Sequence, residues 1–116
     1  MILDLFRLNG KTAVVTGANT GLGQGFCIAF AEAGADVIGV ARRSMQETKE
    51  KVEKAGGNFQ EIIVDLSQPN AVELVMEGCN QLCQNVDILV NNAGIIQRED
   101  AKNVKPENWD MVINLN

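Results

Sequence analysis

The stretch VVTGANTGLGQG, residues 14–25, runs an apolar, β-branched segment directly into glycines at 17, 21, 23 and 25. The segment TAVVT, 12–16, is short, β-branched and halted by glycine, which predicts a buried strand. Beyond the turn, Leu22, Phe26, Ala29, Phe30 and Ala33 recur at helical spacing, and Gly34 ends the helix. The glycines therefore fall where a strand bends into a helix N-terminus. Backbone amides at such a terminus lack intrahelical acceptors and sit at the positive end of the helix dipole, so an anion settles there. Gly17 permits the tight turn, Gly21 lets backbone approach a pyrophosphate, and Gly23 lets helix pack close on strand. The spacing G-x-x-x-G-x-G is a variant of the dinucleotide fingerprint. No Lys-Ser or Lys-Thr follows the last glycine, which disfavours a nucleoside-triphosphate loop.

The same alternation continues outward. DVIGV (36–40), FQEIIV (59–64) and DILVN (87–91) predict three more strands. Between them, Ser44 with Glu47 forms a capping box ahead of a helix carrying Met45, Thr48, Val52 and Ala55 on one face. Ser67 caps a further helix with the stripe Val72, Val75, Met76, Cys79, Leu82 and Cys83. Gly78 inside that helix costs about 1 kcal/mol relative to alanine. A loop and a helix start at Pro106 follow the fourth strand. Strands this apolar are covered by helices on both faces. Right-handed crossovers then give a Rossmann-like, doubly wound parallel sheet of order 3-2-1-4, one domain over 1–116, ending after the fourth strand and the start of the next helix.

Composition narrows the function classes. The 116 residues carry 46% hydrophobic and 22% charged side chains, as a folded domain does. The net charge of -5 argues against nucleic acid as a partner, and no apolar run approaches a membrane span. Cys27, Cys79 and Cys83 are an odd set without histidine, which reads as a reduced, cytoplasmic protein with no metal site. At the end of the second strand, Ala41 stands where an acid would accept from a ribose 2′-OH, and Arg42 and Arg43 follow. Guanidiniums without a carboxylate between them favour NADP(H) over NAD(H).

These residues together carry a resemblance. Thr16-Gly17-Ala18-Asn19-Thr20-Gly21-Leu22-Gly23 resembles the T-G-x-x-x-G-x-G motif of the short-chain dehydrogenase/reductase family. Asn91-Asn92-Ala93-Gly94 matches its N-N-A-G motif, and Asp65-Leu66 its adenine-holding pair. The resemblance implies that Gly17, Asn19, Thr20, Leu22 and Gly23 line the pyrophosphate and adenosine ribose, and that Asp65 and Leu66 meet the adenine. It implies that Asn92, Ala93 and Gly94 flank the adenosine half while Asn91 braces the fourth strand. Trp109 and Asp110 would lead to a catalytic asparagine at Asn116, which helps hold a water in a proton relay.

The expected activity is hydride transfer between nicotinamide and a small-molecule keto or hydroxy sugar acid, with the loop 95–100, including Arg98, bordering the pocket. Family enzymes take the proton on a tyrosine four residues before a lysine. This sequence has no tyrosine. The chain is accordingly expected to be the cofactor-binding half, inactive alone and exposing the edge of its fourth strand, with a homotetramer expected for the full-length enzyme. An inert dinucleotide-binding fragment or sensor is the alternative. A receiver or flavodoxin-like domain fits less well, because the acidic cluster of a receiver is missing and the glycine spacing would go unexplained.

Overall fold

The computed structural model describes residues 2–19 and 21–93. A short 3-10 helix, Ile2–Phe6, precedes four strands and three helices in alternation: β1 (Thr12–Thr16), α1 (Gly21–Glu32), β2 (Asp36–Ala41), α2 (Gln46–Lys54), β3 (Phe59–Ile63), α3 (Ala71–Leu82) and β4 (Ile88–Val90). The strands form one parallel sheet in the order β3-β2-β1-β4. In register, Val14 of β1 lies between Ile38 of β2 and Leu89 of β4, and Val40 of β2 pairs Ile62 of β3. β1 is buried along its whole length, as a central strand covered on both faces must be.

Alternation along the strands divides the core. Val15, Val37 and Ala41 point to one layer with Cys27 and Ala31 of α1 and Val52 of α2. Val14, Ile38, Val40 and Ile62 point to the other, against Ala71 and Cys79 of α3. Burial pushes the Cys27 thiol up to about 12.

The inward face of α2 is the expected one, with Met45, Thr48 and Val52 buried, whereas those of α1 and α3 differ in part from the periodicity reading. In α1 the buried line is Gly23, Cys27 and Ala31, while Leu22 and Ala29 are exposed and Phe26 and Phe30 only flank the core. Small side chains at that spacing bring the helix close to the sheet, so bulk is pushed to the sides. In α3 the buried residues are Ala71 and Cys79, with Val75 and Leu82 packed beside them, and Val72 and Met76 face outward. A Cβ on Gly78 would lie 2.8 Å from Ile62 Cδ1, so the glycine seats the helix on that side chain.

Neither predicted serine cap forms. Helix α2 begins after Met45 with no side-chain cap; the Met45 amide instead donates to the Glu61 carboxylate at 3.0 Å. Helix α3 begins after Asn70, and Ser67 turns back to donate both its amide (3.0 Å) and its hydroxyl (2.7 Å) to Asp65 Oδ1. The Glu61 carboxylate holds the amide that leads into α2 and the Asp65 carboxylate holds both donors of Ser67, and neither serine hydroxyl accepts from a first-turn amide. The predicted helix start at Pro106 lies outside the described residues. Among the described residues no helix is long and apolar enough to cross a membrane.

Candidate functional site

All strand-to-helix turns after parallel strands open at the carboxyl end of the sheet. The chain moves outward from β1 to β2 and β3, then crosses back to place β4 on the other side of β1. The turns after β1 and β4 therefore meet at the point where strand order reverses, where α/β sheets bind ligands.

Gly17 makes that meeting possible. Its φ of 65° is left-handed, and a Cβ on it would sit 3.1 Å from both Ala93 Cα and Asn92 Nδ2. The Gly17 amide donates to Val40 O at 2.8 Å, with the Ala18 amide at 3.5 Å from the same carbonyl, so the turn is tied to β2. Gly23, one turn into α1, is packed against the Gly17 carbonyl and would place a Cβ 2.7 Å from Asn92 Nδ2. Helix and turn are thus in contact, as the close-packing role assigned to this glycine requires. Gly21 has φ 57° and open space about its would-be Cβ, which leaves room for a ligand to approach the backbone.

Thr16, the last residue of β1 and the first of the T-G-x-x-x-G-x-G motif, joins the two turns. Its hydroxyl, on a residue only 7% exposed, accepts from the Asn92 and Ala93 amides at 2.9 Å each. It lies 3.4 Å from both Val90 O and Asn91 Oδ1, either of which can take its proton. Asn91, at the end of β4, thus faces the end of β1. Asn92 Nδ2 returns to Gly17 O at 3.4 Å. The signal was present in the sequence, since a threonine directly before the first glycine offers a hydroxyl exactly one residue from the bend.

The remaining positions surround this crevice. Arg42 and Arg43 are exposed beyond the end of β2. Asp65 is half-buried beyond β3; its hydrogen bonds from Ser67 hold the carboxyl below its usual range, with a smaller contribution from the positive charge of Arg42. Leu66 packs against the α3 layer. Asn19 is half-buried and Leu22 exposed at the mouth of the turn. The structure thus brings Gly17, Asn19, Gly21, Leu22, Gly23, Asn92 and Ala93 to one turn pair, with Arg42, Asp65 and Leu66 on the loops after the outer strands. Thr20, Gly94, Arg98, Trp109, Asp110 and Asn116 lie outside the described residues.

The geometry suits a dinucleotide. The first-turn amides of α1 have no intrahelical acceptor, and a glycine-lined approach leads to them. Among the described residues no group of three or more metal-ligating side chains occurs.

An α/β sheet with a glycine turn at its crossover defines a Rossmann-type nucleotide-binding protein. More narrowly, the chain belongs to the short-chain dehydrogenase family, whose model matches residues 11–116. It is 47% identical over 116 residues to 2-dehydro-3-deoxy-D-gluconate 5-dehydrogenase of Dickeya dadantii (strain 3937), covering all of this chain and 46% of that protein. It superposes with a TM-score of 0.85 and 34% identity on L-sorbose reductase from Gluconobacter frateurii, solved with NADPH and L-sorbose, covering 91% of this chain and 41% of that one. A 3-oxoacyl (acyl-carrier-protein) reductase from Agrobacterium tumefaciens C58, with NADP bound, matches with a TM-score of 0.92 and 28% identity over 99% of this chain and 45% of that one. The chain spans about half the length of the curated relatives it matches.

Proposed function

We propose that this chain is the cofactor-binding half of an NAD(P)-dependent dehydrogenase acting on a keto or hydroxy sugar acid such as a ketodeoxygluconate, with NADP(H) favoured over NAD(H). The observation that carries the reading is the joint held by Thr16, which fixes the glycine turn against the Asn92–Ala93 turn at the crossover of the sheet. The 2-dehydro-3-deoxy-D-gluconate 5-dehydrogenases at 43–47% identity support the substrate class. NADP in related structures supports the cofactor.

Bound at this site, the nicotinamide cofactor would supply the hydride acceptor or donor. The chain's own residues bind and orient it. Free amides at the start of α1, from Gly21 onward, meet the pyrophosphate, with Asn19, Thr20, Leu22 and Gly23 lining its path. Asp65, kept ionised by Ser67, accepts from the adenine amino group, and Leu66 offers an apolar edge to the ring. Asn92, Ala93 and Gly94 wall the adenosine half. Arg42 clamps the 2′-phosphate because no carboxylate at position 41 opposes it. Asn116 is assigned to a water in the proton relay. With no tyrosine in the sequence, this chain alone carries out no proton transfer of the family's kind. The whole enzyme is assigned as a cytoplasmic homotetramer; the three cysteines are free, as a reducing compartment keeps them.

The test is calorimetric titration of the chain with NADP+ and NAD+. Arg42→Ala should weaken NADP+ by roughly 10- to 100-fold, the range for losing a charge-assisted bond, and leave NAD+ within about twofold. Equal losses for both cofactors rule out the clamp.

A further inference from the structure

Thr48 is the one hydroxyl on the inward face of α2, between Met45 and Val52, and it is fully buried. Its Oγ1 donates to the Ala18 carbonyl at 2.7 Å and accepts from Gln24 Nε2 at 3.0 Å. Gln24 Nε2 also stands 3.5 Å from Asn19 O, and Gln24 Oε1 accepts from Lys51 Nζ at 2.9 Å. A threonine on α2 and a glutamine on α1 thus hold two successive carbonyls of the glycine turn from behind. We propose that Thr48 is a positioning residue for the dinucleotide, setting which way the turn's amides face. This rests on the cofactor reading above.

The argument follows from peptide geometry. A trans peptide unit is planar, so its C=O and the next residue's N–H point in opposite directions. Fixing the Ala18 carbonyl on Thr48 therefore turns the Asn19 N–H away from α2. Ala18 is itself fully buried, so no water replaces Thr48 as partner to that carbonyl. The same bond has a second consequence. Helix α2 follows directly from the Arg42–Arg43 loop, and the Met45 amide at its start is held by Glu61 at 3.0 Å. Thr48 sits one turn further along. It ties the turn assigned to the pyrophosphate to the helix that follows the loop assigned to the 2′-phosphate.

The experiment compares Thr48→Val, Thr48→Ser and Gln24→Ala in the full chain by two readouts. Backbone 15N order parameters in the absence of ligand report the turn itself. Calorimetry with NADP+ reports the consequence. In Thr48→Val, Ala18 and Asn19 should fall from about 0.85, typical of rigid backbone, to below about 0.6, while Val14 and Val15 in β1 stay unchanged. NADP+ affinity should drop about tenfold, as expected when a buried carbonyl loses its partner. Thr48→Ser, which keeps the hydroxyl, should restore both, and Gln24→Ala, on a partly exposed residue that leaves the core intact, should show a smaller change of the same kind. Unchanged order parameters at Ala18 and Asn19 in both Thr48→Val and Gln24→Ala overturn the proposal, as does a loss of order spread equally through β1. Should the unsubstituted chain fail to bind NADP+, the cofactor reading falls, and the order parameters still decide whether Thr48 holds the turn.

Discussion

Two glycines of α1, two residues apart, should respond oppositely to the same substitution. Alanine in place of glycine inside a helix gains about 1 kcal/mol, because less backbone freedom is lost on folding. At Gly25 a Cβ meets nothing within 4 Å, so Gly25→Ala should show that gain in full. At Gly23 the added carbon falls inside the van der Waals envelope of the Gly17 carbonyl oxygen and 2.7 Å from Asn92 Nδ2. The obstacle is backbone, itself pinned by the Gly17 amide bond to Val40 O at 2.8 Å, so it cannot swing aside as a side-chain tip would. Relief requires helix and turn to separate by roughly 1 Å, and overpacking of this kind costs about 3 kcal/mol at the upper end of its usual range. After the helix-propensity gain is set against it, Gly23→Ala should be destabilised by about 2 kcal/mol and lie about 3 kcal/mol below Gly25→Ala. At about 4 °C per kcal/mol for a domain of this size, that is a gap of about 12 °C in Tm. Thermal unfolding followed by circular dichroism measures it directly. Equal Tm values for the two variants would show that the turn yields freely, and the close-packing role of Gly23 would be refuted.

Two further outcomes follow from the same contacts. Thr16→Val keeps the shape of the side chain but leaves the Asn92 and Ala93 amides without the acceptor they share at 2.9 Å; about 2–4 kcal/mol should be lost in urea unfolding, and an undiminished midpoint would contradict the joint. Asp65 has a folded pKa depressed by Ser67, so its contribution to stability is complete above the unfolded carboxylate value of about 3.9 and disappears as pH falls through the lower folded value. Comparing wild type with Asp65→Asn in urea from pH 6 down to pH 2 should show the difference narrowing only at the acid end; a gap that widens on acidification would reverse the sign.

Much of the architecture was legible because parallel strands buried on two faces have few ways to read. Runs such as TAVVT and DVIGV are too short and too β-branched for helices, and each is closed by glycine or charge. The expected order 3-2-1-4 then follows from crossover handedness. The details that eluded periodicity are those decided by neighbours. Helix α1 turns Gly23, Cys27 and Ala31 inward rather than the bulkier Leu22, Phe26 and Phe30, because the turn and sheet admit only small residues there. Ser44 and Ser67 were plausible caps in isolation, yet the Glu61 and Asp65 carboxylates engage the donors nearby.

By itself the order of residues determined the family, the strand-to-helix bend and the chemical kinds of group gathered there, since glycine spacing, strand length and charge are local properties. Only the tertiary structure decided how those groups are held. Thr16 reaches across to Asn92 and Ala93 some 76 residues away, and Thr48 reaches across to Ala18, separated by 30. A hydroxyl's partner is set by which strands and helices become neighbours, and hydrogen bonds act over about 3 Å regardless of how much chain lies between.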